Sequence, residues 1–167
     1  MAATETRSQV VIAYVAAVLL IALVVIGLLK YGLSSEVHQR IWRDISDRPS
    51  GPMMFRFILQ PTMAAIAAFH DGVKDAATGR SPYFWMVLTN SEKRAGRLRE
   101  GIISTARIIL LGLGMDAIYQ YVVLKSFYPG EMVIIATLLA FVPYLLLRGP
   151  FARLARWCSA RNSGGVA

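Results

Sequence analysis

One acidic residue lies deep inside an apolar stretch of this chain. Asp116 falls within residues 102–124, about eight residues, or roughly 12 Å at helical rise, from the end of that stretch. A carboxylate at such a depth in a membrane is costly and usually faces protein or water. Tyr119 and Gln120 follow at i+3 and i+4 on the same helical face, and Gly112 lies one turn before. Two hypotheses fit this polar stripe: a proton or cation relay, or a hydrogen-bonded carboxyl that locks helices together.

No other group of residues has the spacing of a catalytic or metal site. His70, Asp71 and Asp75 are close in sequence, but positions i, i+1 and i+5 do not converge on one helical face. Cys158 is the single cysteine, which excludes an intrachain disulfide and a thiolate metal cluster. The sequence therefore predicts no catalytic residue, no cofactor and no metal, and we interpret the protein as non-enzymatic.

Basic residues give the chain a net charge of +8. Such a charge attracts nucleic acid, but anionic lipid headgroups attract Lys and Arg beside a membrane span by the same electrostatics. The long apolar stretches favour lipid, so anionic membrane lipids are the predicted partner and nucleic acid is not. The candidate headgroup contacts are Arg94, Arg97, Arg99, Arg107 and Arg148.

Three apolar stretches are long enough to cross a bilayer or nearly so, since a spanning helix needs about 20 apolar residues. They are residues 10–29, 102–124 and 132–147. The first is predicted to be an uncleaved anchor, because it is longer than the apolar core of a signal peptide. Pro129-Gly130 predicts a tight turn between the second and third. We expect an all-α fold, with three transmembrane helices in a single membrane domain.

Basic residues also decide the predicted topology. With three spans, the loop 30–101 and the tail 148–167 share one side of the membrane and carry fifteen Lys and Arg residues, against Arg7 and Lys125 on the other side. The positive-inside rule then places the loop and the tail in the cytoplasm. We expect a periplasmic N-terminus and a cytoplasmic C-terminus. A fourth span at residues 53–69 would divide the basic residues between the two sides, and is rejected for that reason.

The segment 53–69 is predicted instead to lie on or dip into the cytoplasmic face as an amphipathic interfacial helix. Polar residues recur there at three- and four-residue steps among apolar ones. Pro61 predicts a break near Gln60 and a new helix from Pro61 to about Ala77, closed by Gly79. In this interpretation Ile66, Phe69 and Val73 face the membrane, whereas Arg56, Gln60, His70, Asp71 and Lys74 belong to the polar face.

Capping patterns predict the remaining helix starts. Ser81-Pro82 has the pattern of an N-cap followed by a proline at the first helical position. Asn90 or Ser91 can cap a helix that continues into the second span. A short helix near residues 36–45 precedes a loop at residues 46–52, whose composition is rich in Ser, Asp, Pro and Gly.

A series of motifs runs from the middle of the chain to its third span. It comprises Arg56-Phe-Ile-Leu-Gln-Pro, Asp71-Gly-Val-Lys-Asp-Ala, Thr78-Gly-Arg-Ser-Pro-Tyr-Phe-Trp, Leu98-Arg-Glu-Gly and Met115-Asp-Ala-Ile-Tyr-Gln, followed by Tyr144 and Arg148. In these motifs the chain resembles a group of short, uncharacterised proteobacterial inner-membrane proteins with three predicted spans. The resemblance implies a bacterial inner-membrane location. It transfers no catalytic role, because no activity is associated with that group.

Two classes of function remain. The small size favours a non-enzymatic scaffold, assembly factor or accessory subunit of a membrane complex, whose partners are lipids and other membrane proteins or a second copy of the chain. The alternative is a subunit of an oligomeric small transporter or channel with Asp116 as its proton or cation site. That alternative requires assembly, because three spans cannot enclose a pore alone.

Overall fold

The computed structural model describes residues 6–32, 34–47, 51 and 53–163, and within these residues the chain is helical without strands. The helices are α1 (Arg7–Tyr31), α2 (Ser35–Asp47), α3 (Arg56–Ala77), α4 (Tyr83–Thr89), α5 (Ser91–Tyr119), a π-helical turn (Gln120–Leu124) and α6 (Pro129–Ser163). Three of them, α1, α5 with its π-helical extension, and α6, are long and apolar enough to cross a membrane. The predicted all-α architecture with three candidate spans is confirmed at this level.

Helix α1 packs through a narrow stripe of mostly small residues. Ala13 and Ala16 form a buried cluster with Ala106 of α5. At the other end, a Cβ on Gly27 would lie 3.1 Å from the backbone nitrogen of Gly130, so the two backbones approach closely there. The remaining faces of α1 expose large apolar side chains, as expected for a helix that lipid surrounds on most sides.

These contacts fix the direction of α1. Its first half lies beside the middle of α5, at Ala106. Its last residue, Tyr31, donates a hydrogen bond of 2.7 Å from its hydroxyl to the carbonyl of Phe127, which follows α5 in the chain and precedes α6. Helices α1 and α5 therefore run in the same direction, and α6 runs back. The three-span topology needs α1 and α5 to run in opposite directions. The predicted placement of the two termini on opposite sides does not agree with this packing.

Helix α3 lies along the bundle and not across its end. Near its start Arg56 contacts Asp116, late in α5, and near its end Asp75 contacts Arg148 of α6. Helix α3 thus runs antiparallel to α5 and parallel to α6. Its 22 residues give a length of about 33 Å.

The orientation of α3 about its own axis agrees with the predicted one only in part. The positions buried against α5 and α6 are Arg56, Gln60, Ala64, Ala68, Gly72 and Asp75. The apolar side chains face outward: Ile66 is 54% exposed and Phe69 is 47% exposed. The prediction that Arg56 and Gln60 face water is therefore wrong, whereas His70 and Lys74 are exposed as predicted. The cause of the error is that Arg56, Gln60 and Asp75 find polar partners on α5 and α6, which the local pattern does not contain. The interfacial location of the segment stays a prediction.

The predicted end of α3 is confirmed, but its predicted start is wrong. No break occurs at Gln60: α3 continues through Pro61, although a proline there cannot donate to the carbonyl one turn before. The other end agrees with the prediction. Gly79 has φ +63°, and the amides of Gly79 and Arg80 donate to the carbonyls of Ala76 and Asp75. This is the pattern of a Schellman cap, which glycine favours because it adopts positive φ without strain.

Helices α4 and α5 meet at a side-chain cap. The Asn90 side chain accepts a hydrogen bond of 3.0 Å from the backbone nitrogen of Lys93, as predicted, and α5 continues without interruption into the second span. The predicted Ser81 cap is not formed, since Pro82 is the N-cap residue of α4 and no side chain caps that helix.

The connection between α5 and α6 is shorter than predicted. Pro129 and Gly130 do not form the turn but are the first two residues of α6, where proline is well tolerated. Lys125 provides the turn with a left-handed φ of 52°. Helix α6 then extends through the predicted tail as far as Ser163. Most of the predicted loop 46–52 lies outside the described residues.

Candidate functional site

The deepest polar site joins α3 to α5. The Arg56 guanidinium donates to the Asp116 carboxylate, and the two side chains are 1% and 0% exposed. Gln120, one turn after Asp116, donates from Nε2 to the second carboxylate oxygen at 2.9 Å. Gln60, one turn after Arg56, lies within 3.4 Å of the Arg56 Nε through its Oε1. We call these four residues the Arg56–Asp116 cluster.

Helical spacing and one glycine explain the geometry of this cluster. Arg56 and Gln60 are four residues apart on α3, and Asp116 and Gln120 are four apart on α5, so each pair shares a helical face. Gly112 lets the two helices approach, because a Cβ there would overlap the Gln60 amide and lie 3.3 Å from Ala136 of α6. Gln60 donates in turn to the carbonyl of Ile108 at 3.3 Å.

The π-helical turn extends the cluster toward α6. Gln120 is its first residue and is fully buried. Its amide accepts from the Tyr128 nitrogen at 2.7 Å and donates to the Tyr128 carbonyl at 3.1 Å, so one side chain satisfies both backbone groups ahead of α6. A π-helical turn adds a residue to the helix and re-aims the side chains around it. Gln120 therefore links the Asp116 carboxylate to the start of α6.

A second ion pair lies at the same end of the bundle and holds α2. The Arg40 Nε is 3.3 Å from Glu131, whose side chain is 1% exposed. The Arg40 guanidinium lies 4.0 Å from the ring centroid of Tyr128 and 5.0 Å from that of Tyr31. Cation–π contacts of this kind supplement the ion pair. Arg40 thus connects α2 to the α1–α6 contact.

A larger ionic cluster lies at the opposite end of α3. We call it the basic-end cluster; it contains Asp71, Asp75, Arg80, Arg97, Glu100 and Arg148, with Tyr83 and Tyr144. Arg148 donates to both oxygens of Asp75 at 2.8 and 3.0 Å, a bidentate geometry that only arginine provides. Arg97 contacts the same carboxylate at 3.3 Å, and Glu100 accepts from Arg97 and Arg148.

Two tyrosines line the buried side of the basic-end cluster. The Tyr144 hydroxyl donates to Asp71 at 2.7 Å and accepts from Arg148 at 2.6 Å. The Tyr83 hydroxyl donates to the Arg97 carbonyl at 2.6 Å, and the Arg148 guanidinium lies 4.3 Å from its ring centroid. Burial raises the pKa of Tyr83 to about 12, because desolvation disfavours the phenolate, and the nearby arginines offset only part of this effect.

The predicted polar stripe of the second span is partly brought together. Asp116, Tyr119 and Gln120 are all buried, and Asp116 and Gln120 are hydrogen-bonded to each other. Sequence reasoning missed Arg56, the charged partner of Asp116. One signal in the sequence could have found it. Arg56 and Asp116 have opposite charges, and each is followed by a glutamine four residues later.

The predicted headgroup contacts divide into two groups. Arg97 and Arg148 are only 7% and 3% exposed and bind carboxylates inside the protein, which corrects their prediction as lipid contacts. Arg94 donates to the carbonyls of Val87 and Leu88 at the end of α4, while its side chain remains exposed. The remaining candidates, Arg99 and Arg107, are exposed.

The arrangement can hold helices together, but it has no donor set for a metal. Among the described residues no three His, Cys, Asp or Glu side chains converge as metal ligands. Asp71, which sequence analysis placed beside His70, instead accepts from the hydroxyls of Ser104 and Tyr144, whereas His70 is exposed. No protein-family model, no curated protein and no solved structure matches the chain.

Proposed function

We propose that this protein is a non-enzymatic multi-pass protein of the bacterial inner membrane that acts as a scaffold or accessory subunit of a membrane complex. One observation supports this proposal above the others. The Asp116 carboxylate, the strongest candidate for a relay site, is bound by Arg56 and Gln120 and has no exposed surface. Because Arg56 belongs to α3 and Asp116 to α5, this carboxylate joins two helices.

The same principle extends over the length of the bundle. The acidic residue Asp75 binds Arg97 and Arg148, and Glu131 binds Arg40. Buried ion pairs are costly unless geometry and hydrogen bonds are complete, but removing one partner is strongly destabilising. We infer that these residues specify one arrangement of α2, α3, α5 and α6. A fixed arrangement of apolar outer faces suits a protein that binds membrane neighbours.

Lipid is the first proposed partner. The end of the bundle formed by α4 and the start of α5 carries exposed Arg94 and Arg99, and α6 continues beyond Arg148 with exposed Arg153 and Trp157. At about 52 Å, α6 is longer than the hydrocarbon core of a bilayer, about 30 Å. We therefore place this end in the cytoplasm, beside the anionic headgroups of the inner leaflet.

The test compares the scaffold with the relay in the full-length chain. The chain is reconstituted in vesicles with a pH-sensitive dye inside, and proton flux is measured with and without a membrane potential. The matched variant is Arg56→Gln with Asp116→Asn, which removes both charges and keeps hydrogen-bonding groups. The scaffold proposal predicts no flux that depends on this pair. Flux above that of empty vesicles, and lost in a folded double variant, would overturn it.

A second arm tests for partners. The chain is crosslinked in native membranes, extracted in mild detergent, and its crosslinked neighbours are identified. The proposal predicts a defined neighbour in stoichiometric amount, either another membrane protein or a second copy. A chain that crosslinks to no protein at any concentration would contradict a scaffold role.

A further inference from the structure

The directions of the helices require one more crossing than the three apolar ones. Helix α1 packs on the middle of α5 through Ala13 and Ala16 and ends beside Phe127, after the end of α5. The two helices therefore run in parallel and begin at the same end of the bundle. The chain must therefore return along the bundle between Tyr31 and Ser91. Of the described helices in that interval, α2 has 13 residues and α4 has 7, whereas α3 has 22. Only α3 has the length to make the return.

The ends of α3 lie at the levels expected of a crossing. Arg56 at its start pairs with Asp116, about one turn before the π-helical turn. Asp75 near its end pairs with Arg148, beyond the predicted end of the third span. The length of about 33 Å between its first and last residues matches a hydrocarbon core of about 30 Å.

The surface of α3 agrees with lipid on its outer side. Ile58 is 68% exposed, Ile66 is 54% exposed and Phe69 is 47% exposed, so large apolar side chains cover the outside from the first turns onward. Its exposed basic residue, Lys74, lies in the last turn, where a lysine reaches headgroups through its flexible stem. A helix that faced water on this side would instead expose polar side chains along its length and bury the large apolar ones.

We propose that α3 is a fourth transmembrane helix whose outward apolar face contacts the acyl chains of the bilayer. The polar face of α3 is satisfied inside the protein by Asp116 and Arg148, so no charge on it meets lipid. The number of crossings becomes even. Both the N-terminus and the C-terminus then lie in the cytoplasm, and α2 and the turn around Lys125 lie in the periplasm.

The distribution of charge still satisfies the positive-inside rule with four crossings. Among the described residues, the cytoplasmic end carries nine basic residues that are not buried in ion pairs: Arg7, Lys74, Arg80, Lys93, Arg94, Arg99, Arg153, Arg156 and Arg161. Within the same described part of the chain, the periplasmic end carries four: Lys30, Arg40, Arg43 and Lys125. The bias is weaker than with three spans, but it has the same sign and so gives the orientation.

Labelling with a membrane-impermeant maleimide tests the crossing in the full chain. Single cysteines are placed at the exposed positions Ser8, Ser46 and Ser81 in a Cys158→Ser background, and native Cys158 serves as the fourth position. In intact cells with a permeable outer membrane, Ser46→Cys is expected to react. Ser8→Cys, Ser81→Cys and Cys158 are expected to react only after the inner membrane is opened. Labelling of Ser46→Cys and Ser81→Cys from the same side would overturn the proposal.

Depth measurement separates a crossing from a shallow re-entrant segment. Spin labels at Ile58, Ile66 and Val73 are compared for quenching by oxygen and by a water-soluble nickel complex. A crossing predicts the greatest depth at Ile66 and lesser depths at the two other positions, which lie toward opposite surfaces. Equal depth at all three would overturn it. The inference rests on the proposed membrane location; a chain that carbonate extracts from the membrane would overturn both, whereas an embedded chain with a one-sided α3 would overturn the crossing alone.

Discussion

The guanidinium of Arg56 and the carboxylate of Asp116 form an ion pair across sixty positions of sequence, with at most 1% of either side chain exposed. The pair connects the first turn of α3 to the last turns of α5. Since opposite charges buried inside a protein compensate each other only when they are in contact, each residue depends on the other for its tolerance there. This relationship makes α3 an integral part of the bundle.

The bidentate contact between Arg148 and Asp75 predicts that a basic charge alone is insufficient at position 148. Arg148→Lys keeps the charge but cannot donate to both Asp75 oxygens. We expect the free energy of unfolding to fall by about 2 kcal/mol, the range of hydrogen bonds to charged groups. Denaturant titration in mixed micelles measures this change, with Arg153→Lys, on the exposed part of α6, as the matched control. Equal stability of the two variants would contradict the role assigned to the bidentate contact between Arg148 and Asp75.

Close packing of α3 on α6 predicts opposite results at two glycines. A Cβ at Gly72 would lie 2.9 Å from the Arg148 carbonyl oxygen and 3.0 Å from the Ala152 nitrogen, both backbone atoms, whereas a Cβ at Gly114 meets open space. Gly72→Ala should destabilise by about 1–3 kcal/mol through overpacking. Gly114→Ala should be neutral or stabilising by up to about 1 kcal/mol, since alanine favours helix. Thermal unfolding in detergent compares them, and a harmless Gly72→Ala would refute the close contact of α3 with α6.

Burial of Tyr83 predicts a loss of stability at alkaline pH. Its pKa is about 12 in the folded protein and 10.0 as the ordinary value. Because the unfolded chain releases this proton first, the stabilising contribution is complete below pH 10 and is lost as the pH rises toward 12. Unfolding followed between these two pH values should show this slope, and Tyr83→Phe should reduce it. Tyr121→Phe, at an 80% exposed site, is the control; a slope identical in wild type and Tyr83→Phe would contradict the prediction.

The contact of Arg40 with Glu131 predicts that α2 can be released separately. Arg40→Ala removes both this ion pair and the cation–π contacts with Tyr31 and Tyr128. We expect hydrogen exchange in α2 to accelerate at least about tenfold, corresponding to roughly 1.4 kcal/mol, while α5 and α6 stay protected. Arg43→Ala, exposed on the same helix, is the control. Unchanged exchange in α2 would show that Arg40 does not hold it.

The sequence predicted the three apolar helices and the cap of α5 because each depends on local properties, namely length, apolar composition and one Asn side chain. It did not predict the place of α3. Arg56, Gln60 and Asp75 lower the hydropathy of that segment, and their partners Asp116 and Arg148 are distant in the chain. Polar residues that face protein inside a membrane cannot be distinguished by local pattern from polar residues that face water. The direction of α1 was likewise inaccessible, since it follows from packing against Ala106 and Phe127.

The site around Asp116 could likewise be predicted from the sequence only in part. The place of Asp116 in the second apolar stretch, its link to Gln120 and the helix-locking hypothesis all followed from sequence, whereas its partner Arg56 came only from the structure. With neutral hydrogen-bonding partners alone, Asp116→Leu would cost about 1 kcal/mol, which is typical of a hydrogen bond between membrane helices. An arginine partner raises that expectation, because the substitution leaves a buried positive charge without this counter-ion.

A double-mutant cycle on Arg56 and Asp116 tests the central claim most directly. Arg56→Met, Asp116→Leu and the double variant are compared by reversible unfolding of the full chain in mixed micelles. If the pair locks α3 to α5, each single variant should lose about 3 kcal/mol. The double variant should lose clearly less than the sum, because neither charge of the pair then remains without the other. Losses that simply add, or single variants as stable as the wild type, would contradict the account.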